Sequence, residues 1–137
     1  MRKEMEDELM RVYNRLYQSG RYRNNRECYE AVVKQSAPRF YVDARRAFQY
    51  LSPMSRGDMK AVERLGELKQ AMYRELFAVV MRLSSEERYH DRSLYGLVRL
   101  AVMEPAPRFY ISADRMAQIW RKRKREVRGF RNIDITR

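Results

Sequence analysis

An arginine followed three residues later by a glutamine occurs at equivalent positions after two copies of a repeated five-residue string, as Arg46 with Gln49 and as Arg115 with Gln118. Side chains three residues apart are neighbours on one face of a helix. An arginine can donate two hydrogen bonds to the O6 and N7 atoms of guanine, and a glutamine can pair similarly with the N6 and N7 atoms of adenine. The two pairs therefore favour contact with nucleic-acid bases. A solvated helix face and an interface between the two copies are the alternatives.

The two pairs belong to an internal duplication of the sequence. The string Ala-Pro-Arg-Phe-Tyr occurs at residues 37–41 and again at residues 106–110, and similarity extends to both sides of it over a unit of about 45 residues. A repeat of this size seldom buries an adequate core alone, so we expect the two copies to pack together or to pair with another chain. The predicted regions are a first three-helix repeat (1–51), a turn and helical linker (52–71), a second three-helix repeat (72–120) and a basic C-terminal tail (121–137).

Apolar residues recur at helical spacing in both copies and no segment is typical of a strand pair, so we predict an all-α protein. The third helices should begin at Asp43 and Ser112, which are good N-cap residues. We expect a turn over residues 52–57, and a long helix of about 25 residues that runs without interruption from Met59 into the second copy. The other helices should cover about residues 5–17, 26–35, 72–83 and 91–103, and the third helices should end near Leu51 and Val127.

This order of elements, three short helices with a turn before a capped third helix, resembles the helix-turn-helix arrangement of tandem Myb-like and homeodomain-like DNA-binding modules. The resemblance implies that each third helix enters the major groove and that its outward side chains contact base edges. The string Pro-Ala-Pro-Arg-Phe-Tyr-Ile-Ser at residues 105–112 also resembles small basic proteins of bacterial mobile elements and phages, a resemblance that implies no activity.

The chain is strongly basic, and its charge is unevenly distributed. The net charge is +12, and half of it lies in residues 121–137, where eight Arg or Lys residues face two acids. Small proteins with such a charge most often bind nucleic acid. The run of five cations at residues 121–125 continues the last predicted helix and can neutralise phosphates without sequence preference. With no acid between them these cations repel one another, a cost that an anionic partner would relieve.

The repeated string itself contains an arginine and a phenylalanine in each copy. Phe40 and Phe109 are expected in the hydrophobic core, because a large aromatic side chain beside a turn is most often buried. Arg39 and Arg108 lie beside a predicted helix end. They could bind phosphate, or they could cap the carbonyl groups of the preceding helix.

The sequence contains few residues that could support catalysis or hold a metal ion. The single cysteine, Cys28, excludes an internal disulfide and a cysteine-based zinc site, and the single histidine, His90, has no credible nucleophile or metal partner. We therefore expect neither an enzyme nor a bound cofactor or metal. The first residues carry mixed charges without an apolar stretch, and no apolar run is long enough to cross a bilayer, so we expect a cytoplasmic protein without a membrane partner.

The leading interpretation is a protein that binds double-stranded DNA through two helix-turn-helix-like repeats and a basic C-terminal helix. RNA binding is the first alternative, because several tyrosines alternate with arginines and RNA is often held by stacking on aromatic rings. The second is a helical structural or assembly protein of a phage or mobile element, either self-associating or docked on a protein partner. The predicted nucleic-acid-binding residues are Arg39, Arg45, Arg46, Gln49, Arg108, Arg115, Gln118, Arg121, Lys122, Arg123, Lys124 and Arg125.

Overall fold

The structure, a computed structural model, describes residues 1–135, with side chains described as far as Arg128. This part of the chain forms helices and no strand, which confirms the all-α prediction. The last two residues of the predicted basic tail, 136–137, lie outside it. No helix among the described residues is long and apolar enough to cross a bilayer. The helices are α1 (Arg2–Gln18), α2 (Asn25–Val33), α3 (Ala44–Ser55), α4 (Lys60–Glu63), α5 (Glu67–Ser84), a short 3₁₀ helix (Glu87–Tyr89), α6 (Leu94–Ala101) and α7 (Ala113–Ile135).

Side-chain caps define where several of these helices begin. The Asp43 carboxylate accepts hydrogen bonds from the backbone N–H groups of Arg45 and Arg46, at 3.1 and 3.3 Å. The Ser112 hydroxyl accepts one from the N–H of Arg115, at 3.0 Å. Each cap satisfies donors that the first turn of a helix leaves without an intrahelical partner. The two predicted N-caps of the third helices are therefore confirmed.

The prediction of one long helix from Met59 into the second copy is wrong, because the chain forms two helices there. Helix α4 ends at Glu63 and α5 begins at Glu67, with Gly66 extended between them (φ −66°, ψ 164°). Glycine in a helix interior costs about 1 kcal/mol relative to alanine. The Gln70 amide also donates 2.6 and 3.3 Å hydrogen bonds to the Leu65 and Glu63 carbonyls, which satisfies acceptors at the break.

The turn expected over residues 52–57 also begins later than predicted. Helix α3 continues through Pro53 to Ser55, and the chain reverses at Gly57, whose φ of +81° lies in the region that favours glycine. Four residues of the expected turn, 52–55, are thus the last residues of the helix that carries Arg46 and Gln49.

The chain divides into two compact units. Unit 1 comprises Met1 and Ser36–Tyr110, and within it α3 packs on α5 and α6, with α4 against α3 and α5. Unit 2 comprises Arg2–Gln35 and Ile111–Arg137, and within it α7 packs on α1 and α2. Each unit therefore joins the first two helices of one sequence repeat to the third helix of the other, so the compact units and the sequence repeats are different divisions of the chain.

In unit 1 the two copies of the repeated string lie side by side. We call residues 37–41 and 106–110 the paired segments. Ala37 and Ala106 exchange two backbone hydrogen bonds of 2.9 Å. The Phe40 ring stacks on Tyr110 and the Phe109 ring stacks on Tyr41, each with centroids 6.2 Å apart. Phe40 and Phe109 are 1% and 2% exposed, so the prediction that both belong to the core is confirmed.

In unit 2 the core between the three helices combines aliphatic and aromatic side chains. Trp120 of α7 lies against two tyrosines, with ring centroids 6.0 Å from Tyr13 of α1 and 6.2 Å from Tyr29 of α2. Burial, helped by the neighbouring Tyr29, raises the pKa of Tyr13 to about 12. The fully buried aliphatic contacts come from Leu9, Val12, Val32, Met116 and Ile119.

Candidate nucleic-acid interface

Helix α3 of unit 1 presents a polar outward face. Arg45, Arg46 and Gln49 are all exposed, and among the described residues none of their side chains has a hydrogen-bond or ion-pair partner. Arg46 lies close enough to Tyr73 of α5 for its charge to oppose the rise in the pKa of that phenol, which burial brings to about 12. This face can therefore make new hydrogen bonds without first losing existing ones.

Arg56 extends the same face and was not among the predicted site residues. It lies directly after α3, is exposed, and donates a 3.0 Å hydrogen bond from Nη1 to the Ser52 hydroxyl. The repeat could have identified Arg56. It occupies the position in the first copy that Arg125, a predicted site residue, occupies in the second.

The second arginine–glutamine pair, on α7 of unit 2, is in a different state from the first. Arg115 is half-buried and donates a 3.2 Å hydrogen bond from Nη1 to Oε1 of Gln118. Its neighbour Asp114 forms an ion pair with Arg26 of α2. Arg115 and Gln118 therefore already bind each other, whereas the side chains of Arg46 and Gln49 have no hydrogen-bond partner among the described residues.

The run of five cations divides into two groups when α7 packs on α1. Lys122 and Arg123 point at Glu6, with Lys122 Nζ 2.9 Å and Arg123 Nε 3.2 Å from its Oε1 atom. Arg123 also forms a 2.8 Å ion pair with Asp7. The repulsion expected in this run is therefore relieved within the chain for two of its members, because carboxylates more than a hundred residues away in the sequence lie against them.

Among the residues whose side chains the structure describes, Glu6 is the charged one buried most deeply, at 2% exposure. Burial raises the pKa of a carboxyl group, but hydrogen bonds from Lys122 and Arg123 outweigh burial and lower the pKa of Glu6. Desolvation lowers the pKa of Arg123, but its interactions with Asp7 and Glu6 outweigh desolvation and raise that pKa. The sequence analysis did not predict this cluster. The signal that could have found it is that Glu6 lies on the apolar face of α1, three residues before Leu9, where a buried acid needs a partner.

Replacing Glu6 with glutamine is expected to lower the free energy of unfolding at neutral pH by about 2 kcal/mol, because hydrogen bonds between charged groups are lost. Folding lowers the pKa of Glu6 below its ordinary 4.5. The ionised carboxylate therefore stabilises the fold at pH values above its ordinary pKa. This stabilisation disappears as the pH falls through the lower pKa of the folded state. Urea denaturation of both proteins across this pH range should show their unfolding free energies converging in acid.

Glu4→Gln is the matched control for this measurement, because it removes an exposed carboxylate from the same helix. It should change the stability by no more than about 0.5 kcal/mol. An effect of Glu6→Gln that persisted undiminished in acid would contradict the ionic role of Glu6.

The other three cations of the run 121–125 face solvent. Arg121, Lys124 and Arg125 are exposed, and Arg128 follows them at helical spacing. We call these four residues the basic stripe. Within the part of the chain that the structure describes, none of them forms an ion pair with a carboxylate, and the Lys124 ammonium lies 5.5 Å from the centroid of the Trp120 ring. Arg128 was not predicted, because it lies three residues beyond the continuous run of cations at 121–125.

Arg39 and Arg108 are engaged by the turn in which they lie. The Nε atom of each donates a 3.1 Å hydrogen bond to the carbonyl of the following phenylalanine, Phe40 or Phe109. Each guanidinium also lies 5.8 Å from the centroid of the tyrosine ring two residues on. The expectation that they cap the preceding helix is wrong, since the carbonyls they bind follow them in the chain.

Comparisons with known proteins find no counterpart to this arrangement. No protein-family model matches the chain, and no curated protein or solved structure matches it significantly.

Proposed function

We propose that this protein binds nucleic acid, and duplex DNA in particular, through the outward faces of α3 and α7. The observation that carries the proposal is that each unit exposes a third-helix face rich in cations that form no ion pair with a carboxylate of the described residues. An anionic partner would gain these contacts at little desolvation cost. The residues concerned are Arg45, Arg46, Gln49 and Arg56 of unit 1 and the basic stripe of unit 2.

The two faces differ in a way that suggests different roles. Arg46 and Gln49 are free to pair with guanine and adenine edges, and we assign base recognition to α3. The basic stripe has no side chain suited to adenine and four long cations, and we assign it to phosphate contact, which gives affinity without sequence preference. The charge distribution agrees with this division, since unit 2 carries 17 Lys and Arg against 9 acids and unit 1 carries 13 against 9.

Competition binding distinguishes this proposal from its alternatives. Unlabelled duplex DNA should displace a labelled duplex more effectively than RNA of equal length, and a salt titration should weaken binding steeply. Stronger displacement by RNA would favour the RNA alternative. At one candidate stacking site, however, the Tyr89 ring is already covered by Arg88 and Arg92, whose guanidinium carbons lie 4.6 and 6.0 Å from its centroid. Failure to bind either nucleic acid at low salt would leave the helical assembly protein as the surviving interpretation.

Arg46→Ala is expected to reduce discrimination between the preferred duplex and a random one by about ten- to a hundredfold, as loss of a bidentate contact to guanine does. Arg115→Ala should have a smaller effect, because Arg115 is bonded to Gln118, and the double variant should resemble Arg46→Ala. The preferred duplex is obtained by selection from a random pool, and both affinities are measured by titration.

Arg64→Ala is the control, since Arg64 is exposed in unit 1 and lies outside α3. It should weaken binding to both duplexes equally and leave their ratio unchanged. An Arg46→Ala variant with an unchanged ratio would rule out base recognition by this residue.

A further inference from the structure

The paired segments contact each other reciprocally, as identical surfaces do across a two-fold axis. Ala37 donates to Ala106 and accepts from it, both at 2.9 Å. Phe40 stacks on the tyrosine of the other segment, and so does Phe109, with interplanar angles of 10° and 6°. Such self-complementary contacts are characteristic of isologous homodimers. Here two copies of one sequence within a single chain make them.

The third helices are exchanged between the repeats at these segments. The chain leaves unit 2 after Gln35, and α3 then completes unit 1 by packing on α5 and α6. It leaves unit 1 after Tyr110, and α7 then completes unit 2 by packing on α1 and α2. Exchange of an identical element between protomers is the definition of domain swapping.

We infer that this chain is a helix-exchanged dimer of two related halves joined in one polypeptide, in which the surface formed by α1 and α2 is a docking site for the third helix of the other half. Each half can then supply its third helix to the other without a covalent connection. The inference does not depend on nucleic-acid binding.

Charged side chains at the α7 docking surface specify which third helix it accepts. Glu6, buried, receives Lys122 and Arg123, and exposed Arg26 receives Asp114. Aligning the repeats on Ala-Pro-Arg-Phe-Tyr places Pro53 and Met54 of α3 at the positions of the two cations, and Arg45 at the position of Asp114. Docking α3 on α1 and α2 would therefore leave Glu6 buried without a partner. It would also place Arg45 beside Arg26. Both penalties disfavour pairing of the first half with itself.

The turn at Gly57 allows the whole chain to be tested in two pieces. Gly57 is exposed, and apart from its two chain neighbours no residue has a heavy atom within 4 Å of the position a Cβ would occupy there. A protease site inserted at this turn converts the folded chain of 16.7 kDa into two fragments that meet at Gly57. We expect the fragments to elute together at the volume of the uncut chain. Separate elution would overturn the inference.

Cross-linking with a short bis-maleimide then identifies the partner of α2. In a Cys28→Ser background, Arg26→Cys with Asp114→Cys should join the two fragments covalently. Arg26→Cys with Arg45→Cys is the matched control, because a repeat that folded by itself would bring residue 26 beside residue 45. If residues 26 and 45 were cross-linked and residues 26 and 114 were not, before or after cleavage, the inferred exchange of helices would be wrong.

A third measurement tests the proposed specificity. Glu6→Gln in the cleaved protein should raise the dissociation constant of the two fragments by at least about tenfold, and Glu4→Gln should leave it unchanged. Equal dissociation constants for Glu6→Gln and the unsubstituted fragments would exclude Glu6 as the residue that selects α7.

Discussion

Replacing Phe109 with alanine is expected to lower the free energy of unfolding by about 3–5 kcal/mol, the usual cost of truncating a buried aromatic ring. Phe109 is 2% exposed, and its ring stacks on Tyr41. Its backbone carbonyl also receives the Arg108 hydrogen bond, so a collapse of the turn into the vacated volume would disturb that bond as well. Urea denaturation at neutral pH measures the loss.

Two companion variants make this prediction specific. Phe40→Ala should cost a similar amount, because Phe40 occupies the reciprocal position and stacks on Tyr110. Phe109→Leu, which keeps more of the side-chain volume, should cost less than Phe109→Ala. A Phe109→Ala protein within about 1 kcal/mol of the unsubstituted protein would contradict the role of the paired segments as part of the core.

Removing the basic stripe should weaken binding to duplex DNA by about a hundredfold or more at moderate salt. The variant replaces Arg121, Lys124, Arg125 and Arg128 with glutamine. Each phosphate contact adds about 0.9 to the slope of log affinity against log salt concentration, so four lost contacts should reduce the slope by about 3.6. Because all four residues lack ion-pair partners among the described residues, the stability of the protein should change little. Titrations at several salt concentrations give the affinity and the slope together.

A second set of four exposed arginines controls for net charge in this experiment. Its members lie outside α3 and α7 and are Arg11, Arg82, Arg88 and Arg92. Their replacement by glutamine lowers the net charge by the same amount and should reduce the slope far less. Equal slopes for the two variants would show that binding follows overall charge alone and would reject the stripe as a localised interface.

Interactions within one or two helical turns were predicted well from the sequence. The all-α class follows from the spacing of apolar residues, and Asp43 and Ser112 cap the third helices because their side chains bind N–H groups two or three residues away. The long helix after Met59 was predicted wrongly from the same kind of information. Its interruption depends on Gly66 and on a Gln70 side chain that binds carbonyls five and seven residues earlier.

The candidate interface was predicted only in part, because charges adjacent in the sequence need not share an environment. Residues 121–125 form one continuous run of cations, yet a helix turns successive side chains to different faces. Packing against α1 therefore assigns Lys122 and Arg123 to Glu6 and leaves the others in solvent. Likewise, the sequence does not distinguish Arg39 and Arg108 from the exposed arginines. In the structure each of them donates a hydrogen bond to a backbone carbonyl of its own turn.

The sequence by itself determined that this protein is helical and strongly basic, since composition and short-range spacing are sufficient for both properties. Only the tertiary structure decided which third helix completes which unit. The third helices α3 and α7 carry similar apolar patterns in the sequence, and local preferences are therefore compatible with either arrangement. The choice depends on contacts between residues about ninety or more positions apart, such as Arg26 with Asp114 and Glu6 with Lys122, and these contacts exist only when the chain is folded.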